Sequence, residues 1–206
     1  MRMNRLELSD VSGLDVEDAK QILRAEVRDH RTRRSDRERE HLAMQWISTA
    51  MSFVAKVDIV AAYVSFNDEP PTLPILDALI RSGRKVLLPK LGPTLKREWA
   101  WYRGADDLSV LAPGRPPEPS GRSLPTEILA DVPMLIVPAL LVDGHGRRLG
   151  QGGGWYDRVL KRTRPGTKVG AMVYPEEFVS LDLPQDDMDR PVGYALLPGA
   201  IRRCKA

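Results

Sequence analysis

Short apolar runs, rich in β-branched residues, alternate along the chain with stretches that read as helix or turn. This alternation restricts the possible fold more than any other feature. Ile59-Val60-Ala61-Ala62-Tyr63-Val64, Lys85 to Leu88, Met134 to Val137 (extending to Leu141), Val169 to Val173 and Tyr194 to Leu197 read as strands. Their unbroken hydrophobicity is that of strands buried on both faces. Glu98-Trp99-Ala100-Trp101-Tyr102 alternates and reads as a further strand. Pro89 should stop the strand before it. Leu73 to Arg81 has helical spacing and ends at Gly83, and Trp155 to Thr163 is a helix closed by Pro165-Gly166. The pattern predicts a single α/β domain with a mostly parallel sheet and helices on both faces, a Rossmann-like three-layer arrangement. Ligands of such folds sit at the carboxyl ends of the strands.

Residues 1–16 read as a loose N-terminal leader and 17–206 as one domain. Val16 to His30 has the spacing of a helix, with Asp15 as its cap and Ile22, Leu23 and Val27 as its apolar positions. Arg31 to Arg39 is dense in both signs of charge and reads as a solvated bend or a helix start. A second helix follows, with Leu42, Trp46, Ile47, Ala50 and Phe53 on one face. The Pro- and Gly-rich segment from Ala112 to Pro125 is a loop, because the pieces on either side are too small to stand alone.

Across 206 residues, 31 Lys and Arg are set against 28 Asp and Glu, a net charge of +3. So small an excess suits an anionic small molecule and argues against nucleic acid as a partner. The single cysteine, Cys204, excludes a disulfide within the monomer and favours a reducing compartment. Met1 to Leu14 lacks the apolar run of a secretion signal, and Met134 to Val142 is too short to span a bilayer. The expected location is cytoplasmic, with no membrane attachment.

The segment Asp143-Gly144-His145-Gly146-Arg147-Arg148-Leu149-Gly150-Gln151-Gly152-Gly153-Gly154-Trp155-Tyr156-Asp157-Arg158 carries the chemistry. It follows an apolar strand and opens a helix. The glycines at 150, 152, 153 and 154 let backbone N–H groups converge and let a ligand approach closely. A helix start adds unpaired N–H groups, and Arg148 adds a bidentate donor. Together these describe an anion site suited to a polyphosphate. No Gly-Lys-Ser/Thr follows, so it is not a Walker A loop. Trp155 stands where a third glycine would complete the dinucleotide fingerprint.

Arg148 to Arg158 resembles the R-L-G-x-G-x-G-Y-Y-D signature of 5-formyltetrahydrofolate cyclo-ligases, also called methenyltetrahydrofolate synthetases. Val137-Pro138-Ala139-Leu140 with Asp143 resembles that family's V-P-A-L-A-F-D lead-in. Lys20-Gln21-Ile22-Leu23-Arg24 resembles its K-x-x-L-R helix, Tyr63 to Glu69 its Y-x-x-x-x-x-E strand end, Leu87 to Pro89 its L-P strand, and Leu183-Pro184 with Asp189 its L-P-x-x-x-H-D segment. The resemblance runs in order from about Lys20 to the C-terminus. Trp155 replaces a tyrosine, Val142 a phenylalanine and Met188 a histidine, and the last strand lacks the usual threonine-glutamate ending.

The resemblance implies an enzyme that uses ATP and Mg²⁺ to cyclise 5-formyltetrahydrofolate to 5,10-methenyltetrahydrofolate through a phosphorylated formyl intermediate. It implies catalytic roles for Lys20 and Arg148. ATP would rest on Lys20, Arg24, Arg148, Leu149, Gly150, Gln151, Gly152, Gly153, Gly154, Trp155 and Tyr156. The folate would meet Val64, Glu69, Gly153, Gly154 and Trp155, with Glu69 accepting hydrogen bonds from the pterin. Asp157 and Asp189 would hold Mg²⁺. Arg28 and Arg31, on the helix face of Lys20 and Arg24, read as solvated charges. Trp99, Trp101 and Tyr102 read as core. A paralogue with another substrate, motivated by Met188 and the altered last strand, stays open, as does a non-catalytic nucleotide or folate sensor.

Overall fold

The computed structural model describes residues 6–91 and 96–205. In chain order its elements are α1 (Val16–Thr32), α2 (Asp36–Phe53), β1 (Ile59–Ala61), α3 (Leu73–Arg81), β2 (Lys85–Lys90), β3 (Glu98–Trp101), β4 (Leu108–Ser109), β5 (Glu118–Pro119), β6 (Met134–Pro138), β7 (Leu141–Asp143), β8 (Arg148–Leu149), α4 (Trp155–Leu160), β9 (Lys168–Met172), β10 (Phe178–Val179), β11 (Tyr194–Leu197) and β12 (Ala200–Arg203). The main sheet runs β12-β11-β9-β6-β1-β2-β3. Neighbours from β11 through β2 pair in parallel, and β12 and β3 close the two edges antiparallel.

Period-two alternation divides the apolar side chains between the sheet's faces. Val60, Val86, Leu88, Ile136 and Leu196 pack under α2 and α3, against Trp46, Phe53, Leu76 and Leu79. The Trp46 indole N–H donates to the Leu196 carbonyl at 3.2 Å, which satisfies its one polar atom inside the core. Ala61, Leu87, Leu135, Val137, Ala171 and Ala195 face the other way. There Val159 and Leu160 of α4, Leu129 of a 3-10 turn (Thr126–Asp131) and Trp99 cover them. The helical cover is thus two helices on one face and one short helix with a 3-10 turn on the other.

Helix α1 lies on neither face. Leu23 and Val27 bury against Leu140, Leu141, Leu149 and Leu183, a separate cluster near the carboxyl end of the sheet. Leu6, Leu8 and Val11 pack against the same cluster, and the Ser9 N–H donates to the Glu26 carboxylate at 3.2 and 3.3 Å. Of the two readings for Arg31 to Arg39, the bend holds for residues 33–35 and the helix start for the rest of the segment from Asp36. Helix α1 continues to Thr32, and α2 starts at Asp36 behind a capping box in which Ser35 and Glu38 satisfy each other's backbone N–H groups.

Three other boundaries differ from the sequence reading for identifiable reasons. Strand β2 runs through Pro89, which lies opposite Trp99, and Trp99 turns both its N–H and its carbonyl outward to Leu124. No ladder bond is needed from the proline there. Strand β6 ends at Pro138, where the chain leaves the main sheet. The Leu140 N–H bonds the Leu149 carbonyl at 2.8 Å, and β7 joins β8 and β10 in a second, three-stranded sheet. Helix α4 ends at Leu160 rather than Thr163, because the following backbone closes tighter bonds from Arg162 to Val159 and from Thr163 to Leu160.

Candidate active site

The glycine loop spans the gap between β8 and α4. Its backbone is in the left-handed region at Gly152 (φ 102°) and Gly154 (φ 59°), conformations that side-chain-bearing residues avoid. Gly153 is not in that region, and a Cβ there would meet no atom within 4 Å. That open space belongs to a cavity of about 750 Å³. Two arginines of α1 hold the loop from the other side. Arg24 Nε donates to the Gly150 carbonyl at 3.1 Å while its Nη1 binds Glu17 at 2.8 Å. Arg28 Nη2 donates to the Gln151 carbonyl at 2.9 Å and its Nε to the Gln151 side chain at 3.1 Å.

The same cavity is edged by a set of charges distant in sequence. Lys20 Nζ donates to Asp186 Oδ2 and Asp189 Oδ2, both at 2.5 Å. Desolvation works against the Lys20 ammonium, but the bonds and charges of Asp186 and Asp189 outweigh it and hold its pKa above the ordinary lysine value. The Lys20 hydrogen bond keeps Asp186 below the usual carboxylate range. Arg148 Nη2 meets Asp157 Oδ1 at 2.7 Å and its Nη1 reaches the Pro138 carbonyl at 3.3 Å. Arg148 Nε is buried without a partner. Asp157 also accepts from the Arg190 backbone N–H at 3.2 Å, which ties the segment bearing Asp189 to α4.

Asp143 ties the segment bearing Asp189 to the turn between β7 and β8. This carboxylate is buried. Its Oδ1 accepts from the N–H groups of His145 (2.8 Å) and Arg147 (2.9 Å), and its Oδ2 from that of Leu183 at 3.0 Å.

Glu69 enters from the β1 side. A turn with Asn67 at φ 51° folds it back, so that its Oε2 accepts the Phe66 N–H at 3.0 Å. Gln151 Nε2 then crosses the cleft to Glu69 Oε1 at 3.2 Å. Desolvation raises the Glu69 carboxyl above its ordinary value, opposed by the Phe66 and Gln151 hydrogen bonds. Val64 and Trp155 also line this cavity. The Trp155 ring packs on Tyr156 (centroids 4.8 Å apart) and on Trp99 (5.3 Å).

The structure thus brings Lys20, Arg24, Glu69, the glycine loop, Asp157 and Asp189 around one cavity. Leu149 contributes backbone there, since its side chain is buried against α1. Trp99 and Tyr102 are buried as read. Arg28 and Arg31 are not merely solvated charges: Arg28 secures the loop, and Arg31 is 2% exposed. The signal for both was their helical spacing from Lys20 and Arg24. Asp186 was missed as a Lys20 partner because it stands in a run of acids that gave no register. Among the described residues no three His, Cys, Asp or Glu side chains form a metal-binding group, and no helix is long and apolar enough to cross a membrane.

A mostly parallel α/β sheet with a cleft edged by a glycine loop and by paired cationic and carboxylate side chains defines a ligand-binding class of α/β protein. The family model described as the 5-formyltetrahydrofolate cyclo-ligase family matches residues 16–198, and the chain belongs to that family of enzymes. It is 34% identical over 144 residues to the 5-formyltetrahydrofolate cyclo-ligase of Mycolicibacterium smegmatis, covering 68% of this chain and 73% of that protein. Against the Escherichia coli protein of the same name the identity is 27% over 180 residues, covering 85% and 98%. The solution structure of Aquifex aeolicus 5,10-methenyltetrahydrofolate synthetase superposes with a TM-score of 0.76 at 29% identity, covering 91% of this chain and 93% of that one. The Mycoplasma pneumoniae synthetase shares the fold, with a TM-score of 0.67 at 15% identity over 86% and 97%.

Proposed function

We propose that the protein cyclises 5-formyltetrahydrofolate to 5,10-methenyltetrahydrofolate at the expense of ATP. The observation that carries this reading is the Gln151–Glu69 contact. It links a loop suited to phosphates with an acid suited to a pterin inside one cavity. The γ-phosphoryl group passes from ATP to the formyl oxygen. N10 then attacks the formyl carbon and gives up its proton, and that oxygen departs in hydrogen phosphate, leaving ADP and the methenyl ring. Such a reaction asks the protein for placement and charge stabilisation rather than a nucleophile.

Lys20 and Arg148 supply the positive charge, and the orphaned Arg148 Nε fits a phosphate oxygen as its missing partner. Arg24 and Arg28 brace the loop through its Gly150 and Gln151 carbonyls, and its amides would take the phosphates. Leu149, Gly150, Gln151, Gly152 and Tyr156 complete the ATP side. Val64, Gly153, Gly154 and Trp155 flank the folate, whose pterin N–H groups are accepted by Glu69.

Asp157 and Asp189 would hold Mg²⁺. Two carboxylates beside phosphate oxygens are a donor set that a hard, oxygen-seeking cation accepts. The ion supplies charge neutralisation on the transferred phosphoryl group. Each carboxylate is now neutralised by the very cation assigned to the phosphates, Arg148 for Asp157 and Lys20 for Asp189. A shift of the two cations onto phosphate releases both acids together.

The test is to mix purified protein, Mg-ATP and 5-formyltetrahydrofolate and to follow methenyl absorbance with ADP release. Stoichiometric appearance of both supports the reading. ATP binding with no turnover of this folate refutes it and leaves a paralogue or a sensor.

A further inference from the structure

Behind Glu69 the cleft contains two buried hydrogen-bond donors that the reading above leaves unused. Arg31 is fixed on three sides. Its Nε and Nη2 meet Glu177 Oε1 and Oε2 at 2.7 and 2.8 Å, and Nη2 also reaches the Ala139 carbonyl at 2.7 Å. The Tyr174 ring stands 5.5 Å from the guanidinium carbon. This leaves Nη1 with no partner in a side chain that is 2% exposed. Tyr63 is also 2% exposed, and its hydroxyl has no partner either.

Both residues line the cleft, and the charge of Glu69 acts on both. Desolvation, reinforced by Glu69, keeps the Tyr63 phenol well above its ordinary pKa, so it presents an O–H. Buried donors without acceptors are rare in folded proteins, because each forfeits the hydrogen bond it had in water. Two of them beside one half-buried carboxylate constitute a recognition pattern, with an acceptor on the protein next to a donor pair. A ring whose edge carries an N–H beside a C=O complements that pattern.

We propose that Arg31 Nη1 and the Tyr63 hydroxyl receive the C4 carbonyl of the pteridine beside Glu69, so that the cleft selects a 4-oxo over a 4-amino pteridine. This rests on the folate reading of the site and adds to it the residues that discriminate. A 4-amino group would set its own donors against Arg31 Nη1, which can only donate; the Tyr63 hydroxyl can turn to accept from it, but Arg31 is left unpaired. Polar mismatches of that kind discriminate far more strongly than a missing methylene.

The experiment is calorimetric titration, at about pH 8, of 5-formyltetrahydrofolate and its 4-amino-4-deoxy counterpart into wild-type protein and Tyr63→Phe. The phenylalanine removes only an unpartnered hydroxyl, so the variant should melt no lower than wild type. It should bind the 4-oxo compound roughly 3- to 10-fold more weakly, the range for one lost neutral hydrogen bond. Wild type should bind the 4-oxo compound more tightly than the 4-amino one, because Arg31 can only donate at that position. A folded Tyr63→Phe that binds the 4-oxo compound as tightly as wild type, or wild type that does not distinguish the two compounds, overturns the proposal while the folate reading stands. Wild-type protein that binds neither compound overturns both.

Discussion

Asp143→Asn should damage the site through the backbone rather than through any ligand. The native carboxylate accepts three backbone N–H groups, two on Oδ1 and one from Leu183 on Oδ2. An asparagine can keep its oxygen toward His145 and Arg147. Its amide NH₂ then faces the Leu183 N–H, donor against donor. A hydrogen bond to a charged group contributes about 1.5–3 kcal/mol, and a buried donor left unpaired costs about 1–3 kcal/mol; because the two overlap, the expected loss is about 2–4 kcal/mol. For a chain of this size each kcal/mol moves Tm by about 2–4 °C, so a fall of about 5–15 °C follows. The damage should be directional. Leu183 begins the segment that carries Asp186 and Asp189 to Lys20. Amide exchange at Leu183 should therefore accelerate more than exchange in β6 or β9, and kcat/KM should fall even well below the new Tm. A variant that melts within about a degree of wild type, with Leu183 still protected, would refute the reasoning.

Gly153→Val should leave Tm nearly unchanged, because a Cβ there meets nothing and the backbone is not left-handed, yet it should abolish ATP binding in calorimetry by filling the cradle. Asp157→Asn should keep folate affinity but lose Mg²⁺-dependent turnover, read as rate against added Mg²⁺; an unchanged Mg²⁺ dependence would return Asp157 to holding Arg148 and the Arg190 N–H. Folate affinity should weaken as pH falls, and from a higher pH than an ordinary glutamate would give. Desolvation raises the Glu69 pKa, so the carboxylate that accepts N–H donors is present above that raised pKa and lost below it. In Glu69→Gln that dependence should vanish from a plot of Kd against pH.

Much of the fold was legible because hydrophobic runs and helical spacing are local signals. Ile59 to Ala61, Met134 to Pro138 and the apolar face of Trp46, Ala50 and Phe53 reach the core by composition alone. The glycine loop was legible because its spacing admits few conformations. Pro89 and Pro138 misled in opposite directions. Each strand boundary depends on what the neighbouring strand does with its own hydrogen bonds, and the local sequence does not state that. Arg31 was misread because a charge on a helix face looks solvated until its partner is known, and Glu177 lies 146 positions away. The bracing of the loop by Arg28 and the Lys20–Asp186 contact were hidden for the same reason.

Helix α1 holds Lys20, Arg24, Arg28 and Arg31, yet its apolar anchorage is the small cluster around Leu23 and Val27 rather than either face of the main sheet. The helix is fastened to the rest by that cluster and by polar contacts from Lys20 to Asp186 and Asp189, from Arg24 and Arg28 to the glycine loop, and from Arg31 to Glu177. Displacement of α1 would remove all four cations from the cleft at once. A ligand that bridges α1 and the glycine loop would add its binding energy to that seam; at a hundred times its Kd this is about 2.7 kcal/mol. Occupancy of the cleft and closure of the seam would then be one equilibrium, with the bound ligand as the clasp that keeps the N-terminal helix in place.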